Sequence, residues 1–166
     1  MTENYKHLEF YHPPTAFATA QERQRLVDDV TKLYTDWDLP AFYVVVQFLP
    51  MITGVSSDDT SPVANFFVGG SSARAANFVR VVVHHLAFQS QGNVASHQRI
   101  TSSIDAMLQP HVEAKGFDWE YHVSESPPTL WKINGLVPPV RGNAAVETWS
   151  RENKPSPYDG DGRSGE

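Results

Sequence analysis

Residues 19–50 read TAQERQRLVDDVTKLYTDWDLPAFYVVVQFLP, and this stretch decides what kind of fold the chain makes. Thr19 and Glu22 form a capping box, in which hydroxyl and carboxylate satisfy the free N–H groups at a helix start. Leu26, Val30, Leu33 and Trp37 follow at spacings of four, three and four, which puts them on one helical face. Asp38-Leu39-Pro40 ends the helix, because the residue before a proline is pushed out of the α region. Phe42 to Leu49 is then an almost unbroken β-branched and aromatic run, the pattern of a strand buried on both faces.

Working outward, Leu8, Phe10 and His12 alternate with His7, Glu9 and Tyr11, which predicts a strand running into Pro13-Pro14. Strand, helix and strand make one β-α-β unit over about 6–50. Thr53 to Pro62 reads as a loop, and Asn65 to Val68 as a short strand entering the Gly69-Gly70 turn. A second unit spans about 77–125. Phe78 to His85 is its first strand, and Ser96 caps a helix carrying Ile100, Ile104, Met107, Leu108 and Val112. Pro110 kinks or shortens that helix, Lys115-Gly116 stops it, and Trp119 to Val123 closes the unit.

The expected class is therefore α/β (α+β), with two fused β-α-β units, parallel strand pairs in one sheet and both helices on one face. Val, Phe and Tyr on the uncovered face argue for self-association. Residues 126–150 form a C-terminal arm clamped by Trp131 and Trp149. Residues 151–166, rich in Pro, Gly and charge, read as a flexible tail, and residues 1–5 as an extension ahead of the first strand.

Composition narrows the function classes. The 166 residues include 13 basic and 19 acidic side chains, a formal charge of −6, and the basic ones are scattered, so nucleic acid is not an expected partner. No long apolar run or signal-like segment is present, so a cytoplasmic protein with no membrane partner is expected. With no cysteine there is no thiolate nucleophile or Cys-based metal site. His84 and His85 are adjacent on a strand, point to opposite faces and cannot chelate one ion together, and no P-loop, HExxH or nucleophile-elbow pattern occurs. No cofactor and no metal are expected.

The segments HPP (12–14), LPAFYVVVQF (39–48), FFVGG (66–70), FVRVVVHH (78–85), KGFDWEYHV (115–123) and LWKINGLVPP (130–139) resemble the fungal branch of cis-chloroacrylic acid dehalogenase-like proteins in the tautomerase superfamily. The resemblance covers roughly residues 6 to 158, in order. It implies a trimer whose sheets form a central barrel wrapped by helices, as in the macrophage migration inhibitory factor-like fold. It also implies chemistry on an N-terminal proline, whose amine titrates near neutrality, with a helix His, two Arg, a Tyr and a Glu as helpers and a small carboxylate or keto acid as substrate.

This sequence departs from that pattern at most positions. The terminal proline aligns with Lys6, which stands mid-chain, so its main-chain nitrogen is an amide without basicity. The helix His falls at Tyr34, the first Arg near His84, the second near Ala87, and the Glu near Lys132 or Ile133. Only the Tyr is retained, as Tyr121. The favoured expectation is a superfamily member that has lost tautomerase and dehalogenase activity and serves as a homotrimer that binds a small molecule. The alternative is an active tautomerase or hydratase on a small carboxylate, working without proline through Lys6, His84 and Tyr121, with Arg80, Tyr34 and Arg74 binding.

Each candidate carries a plainer reading. Lys6 as base or Schiff-base amine needs its pKa lowered by about three units, and a solvated lysine at a strand start is the ordinary case. His84 shares a strand face with Phe78, Arg80 and Val82, and in the family's register it faces the pocket in place of an Arg. Arg80 suits a structural ion pair, Arg74 solvent, and Tyr34 the apolar helix face. The extension 1–5 is expected to lie across the ancestral pocket mouth.

Overall fold

The structure, a computed structural model, describes residues 5–54, 63–87, 90, 92–140 and 142–162. Its elements run β1 (Tyr5–His12), α1 (Ala20–Thr35), β2 (Val44–Pro50), α2 (Ser72–Ala75), β3 (Phe78–Leu86), α3 (Val94–Leu108), β4 (Asp118–Glu125) and α4 (Ala144–Glu152). The strands form one sheet in the order β2-β1-β3-β4. β1 and β2 pair in parallel, as do β3 and β4, and the two units join antiparallel through β1 and β3. The duplicated β-α-β reading is what the structure shows. None of its described helices is long and apolar enough to cross a membrane.

Period-two alternation sorts the strand residues between two faces. Leu8 and Phe10 of β1 and Val79, Val81 and Val83 of β3 are buried under Leu26, Val30 and Tyr34 of α1 and Ile100, Ile104 and Leu108 of α3. This is the core, and both long helices cover it. The other face carries His7, Glu9, Tyr11, Val45, Gln47, Leu49, Phe78, Arg80, Val82, His84, Glu120, His122 and Ser124. It mixes the expected Val, Phe and Tyr side chains (Tyr11, Val45, Phe78 and Val82) with charged and polar ones, while Phe10 and Phe48 pack on the helix side.

Local signals hold where their chemistry is specific. Thr19 makes the capping box with Glu22, and α3 ends at Leu108, just ahead of Pro110. Gly116 takes φ 82°, a left-handed conformation that closes a short 3₁₀ turn. The cap of α3 is Asn93, whose side chain accepts from the Ser96 N–H, so Ser96 lies inside the first turn. Phe42 and Tyr43 form a 3₁₀ turn after Pro40, which sends Tyr43 into the core before β2 begins. Asn65 to Val68 makes only a single bridge, Val68 to Ser71.

The C-terminal region is more ordered than its composition suggests. Trp149 of α4 is fully buried against Tyr43, and its indole N–H donates to Ser156 O at 2.8 Å. Trp131 also packs edge-on to Tyr43, at 5.5 Å between ring centres. Past α4, Tyr158 donates to Val137 O, and Val137 N–H donates to Asp161 O at 2.7 Å. A Cβ at Gly162 would stand 2.6 Å from Val137 Cγ2. Residues 153–162 are thus a docked strap, where a flexible tail was expected. Only the last four residues of that tail, 163–166, lie outside the described residues, as does most of the 53–62 loop.

Candidate functional site

The β1–β3 register decides what surrounds Lys6. Lys6 stands opposite His85 on β3, and His85 stands opposite Glu125 on β4, so the three form one row across the end of the sheet on the helix side. Lys6 is fully buried and His85 is 1% exposed, which overturns the solvated lysine. Tyr34 of α1 closes the row from above. Its ring lies under the Lys6 Nζ, 5.4 Å from centroid to nitrogen, and its hydroxyl meets His85 Nε2 at 3.3 Å.

Electrostatics follow from that burial. Desolvation drives the Lys6 amine well below its ordinary range, partly opposed by the Glu125 carboxylate. Burial, and then the nearby Lys6 charge, push His85 down to about 2, so its imidazole is neutral at any physiological pH. The Tyr34 phenol is pushed up by the same desolvation and stays protonated. Two basic groups opposite each other in an apolar enclosure cannot both be charged, and the neutral imidazole is the clear outcome.

Beyond Glu125 the row opens on a cavity of about 600 Å³ between β4 and the start of α3. Ser90, His97, Thr101, Tyr121 and Glu125 are among its lining residues. The Ser90 hydroxyl bridges His97 Nε2 and Glu125 Oε2. The Tyr121 hydroxyl donates to Asp105 Oδ1 at 2.7 Å and Thr101 O at 3.2 Å; burial and the Asp105 carboxylate raise its pKa. Its oxygen is committed to α3, and its ring forms part of the cavity wall.

The other sequence candidates lie elsewhere. His84 points to the open face, away from Lys6, because it is one residue out of phase with His85. Arg80 pairs with Glu120 at 3.3 Å on the same open face, and Arg74 is exposed on α2. Sequence reading missed His85, Glu125, Ser90 and His97. For His85 a signal was present: in FVRVVVHH it shares parity with Val79, Val81 and Val83, the most apolar positions of the strand. Residues 1–4 lie outside the described residues, and with them the expected cover of the pocket mouth.

Comparison with known proteins agrees with this architecture. A family model described as "Putative oxalocrotonate tautomerase enzyme" matches residues 7–154. The chain belongs to the tautomerase superfamily. It is 36% identical to a crystallised probable enzyme from the thermophilic fungus Aspergillus fumigatus, over 94% of this chain and 99% of that one, with a TM-score of 0.79. It is 33% identical to native RhCC from Rhodococcus jostii RHA1, over 92% and 99% of the chains, with a TM-score of 0.78. N1, a member of the cis-3-chloroacrylic acid dehalogenase family, shares the fold at 18% identity, over 89% and 97% of the chains, with a TM-score of 0.53. None of the curated proteins compared with it matches. Within this tautomerase-superfamily chain, the matched span begins one residue after Lys6, and β1 begins one residue before it, so the Lys6 main-chain nitrogen belongs to a peptide bond inside a paired strand.

Proposed function

We propose that this chain has lost the proline-dependent tautomerase and dehalogenase chemistry of its superfamily and serves as a self-associating protein that binds a small molecule.

 The reading is carried by one observation: Lys6, at the position of the family's reactive amine, is fully buried within β1. Its main-chain nitrogen is an amide, which has no basicity to offer a substrate, and its side-chain amine is enclosed by Tyr34 and His85. Proton transfer needs contact with the reacting atom, and a group sealed in a core does not make it. The cavity beside Glu125 supports the binding role, being large enough for a small carboxylate or keto acid. Self-association as a homotrimer, and a cytoplasmic location, belong to the same reading. The resemblance supports the trimer, as does an open sheet face without helical cover.

Phenylpyruvate tests this reading, since its enol-to-keto conversion reports proline-type tautomerase activity. No turnover above the buffer rate is expected. Turnover that disappears in Lys6→Ala, while that variant remains folded, would contradict it.

A second reading rests on the lowered pKa of Lys6. A lowered pKa increases the deprotonated, nucleophilic share of the amine, which would condense with a keto acid's carbonyl, releasing water, to form a Schiff base and give a proline-independent enzyme. Borohydride reduction in the presence of pyruvate would then add a stable mass to the peptide containing Lys6. An unmodified peptide excludes this route for that substrate.

A further inference from the structure

The open face of the sheet holds a second group of ionisable side chains that plays no part in the Lys6 row. His7 and Glu9 are two residues apart on β1 and share its open side, and His84 stands directly opposite His7 on β3. One ligand atom from each lies within 4.8 Å of the other two. Glu9 Oε1 is the shared centre, 4.0 Å from His7 Nε2 and 3.7 Å from His84 Nε2. All three residues are half-buried, so the group is shielded yet reachable.

The neighbours orient these atoms. Tyr11 donates to Glu9 Oε2 at 2.6 Å, which leaves Oε1 turned toward the two imidazoles. Ser124 Oγ meets His84 Nδ1 at 2.8 Å, which fixes that ring with Nε2 facing Glu9. Gln47 Oε1 lies 3.0 Å from His7 Nε2, so that nitrogen exchanges this hydrogen bond for the metal when an ion binds. Tyr11 and Ser124 are outer partners of the kind that hold the carboxylate rotamer and imidazole tautomer a metal ion requires.

We propose that His7, Glu9 and His84 form a binding site for a divalent first-row transition-metal ion, best suited to zinc. Two imidazoles and one carboxylate favour such an ion over magnesium or calcium, which take all-oxygen sets. Around a tetrahedral zinc ion, ligand atoms about 2.0–2.1 Å from the metal sit about 3.4 Å from one another. The gaps to Glu9, 4.0 and 3.7 Å, exceed that spacing by about 0.6 and 0.3 Å, and the two histidine ligand atoms lie within 4.8 Å of each other, so side-chain rotations draw the three ligands together on binding. Three protein ligands leave a further coordination position for water or a small anion. The site is independent of the proposed loss of proline chemistry, since it uses no residue of the Lys6 row.

Equilibrium dialysis of the full chain against zinc, with magnesium as the comparison cation, tests the site. One zinc per chain is expected, with no magnesium bound at the same concentration. His84→Ala and Glu9→Gln should each weaken zinc binding at least tenfold, and Ser124→Ala by about tenfold through loss of ring orientation. His111→Ala, whose imidazole pairs with Asp29 away from this face, should leave binding unchanged. Cobalt(II) substituted for zinc should show visible d–d absorption that His84→Ala abolishes, and circular dichroism confirms that each variant is folded. Zinc binding that survives both His84→Ala and Glu9→Gln in folded protein would overturn the proposal. So would the absence of stoichiometric binding by the unaltered chain.

Discussion

One sheet of this protein carries two histidine clusters on opposite faces, built from the same two strands. On the helix side, Lys6, His85 and Tyr34 are sealed into the core. On the open side, His7, His84 and Glu9 stay half-buried and hydrogen-bonded to polar neighbours. His84 and His85 are consecutive residues, yet one meets Ser124 and Glu9 while the other meets Tyr34. A one-residue step along a strand thus separates a site where burial disfavours charge on basic groups from one where imidazoles face a carboxylate and solvent. What decides a residue's chemistry here is strand parity.

That contrast can be broken most severely from the helix side. Tyr34→Ala removes a fully buried ring that spans Lys6 and His85, and should destabilise the fold by about 3–5 kcal/mol in chemical denaturation. If the loss were below about 1 kcal/mol, the enclosure would not be the packed unit described.

The next effect is in the pH dependence. Both Lys6 and His85 have folded pKa values below their unfolded ones, so below the unfolded values the unfolded chain binds protons that the folded chain refuses. Stability should therefore fall as pH is lowered. For Lys6 the fall starts near its unfolded value of about 10.4 and continues down to its lowered folded value. For His85 it starts near 6.5 and continues toward 2. Each group contributes a slope of up to about 1.4 kcal/mol per pH unit within its window. Lys6→Met should flatten the alkaline part of the curve and leave the fall below pH 6.5 in place. A slope just below pH 10 that Lys6→Met leaves unchanged would mean that burial does not lower the Lys6 pKa.

The smallest effects belong to the open face. His7→Ala and Arg80→Ala should each change stability by no more than about 0.5 kcal/mol, because these side chains are partly exposed and their ion pairs are solvated. Losses comparable to that of Tyr34→Ala would show that this face is buried in an assembly, and would favour the trimer.

Much of the fold could be read from residues 19–50 and their repeat in 77–125, since a capping box, a helical stripe and a proline stop are local signals. The α4 helix and the 153–162 strap were not legible, because their order comes from burial of Trp149 and Tyr158 against distant residues, and not from local propensity. The site was legible in part. The apolar helix face marked Tyr34 as a core residue, and the resemblance singled out Lys6. Its exposure was misjudged because charge alone argues for solvent, whereas the β1–β3 register places His85 and Tyr34 around it. His84 was chosen over His85 because the family's register was applied to residues whose environment only the pairing of β1 with β3 defines.

The central claim is that the Lys6 amine is sealed in the core, and native-state acylation measures this directly. The folded protein would be treated briefly with an amine-reactive acetylating reagent at pH 8, and each lysine's modification quantified by peptide mass spectrometry. The account predicts that Lys32 and Lys115, whose side chains are 70% and 55% exposed, react readily while Lys6 stays unmodified until the protein is denatured. Lys6 reacting as fast as or faster than those two in the folded protein would contradict it, and would identify an accessible amine where this account places a closed one.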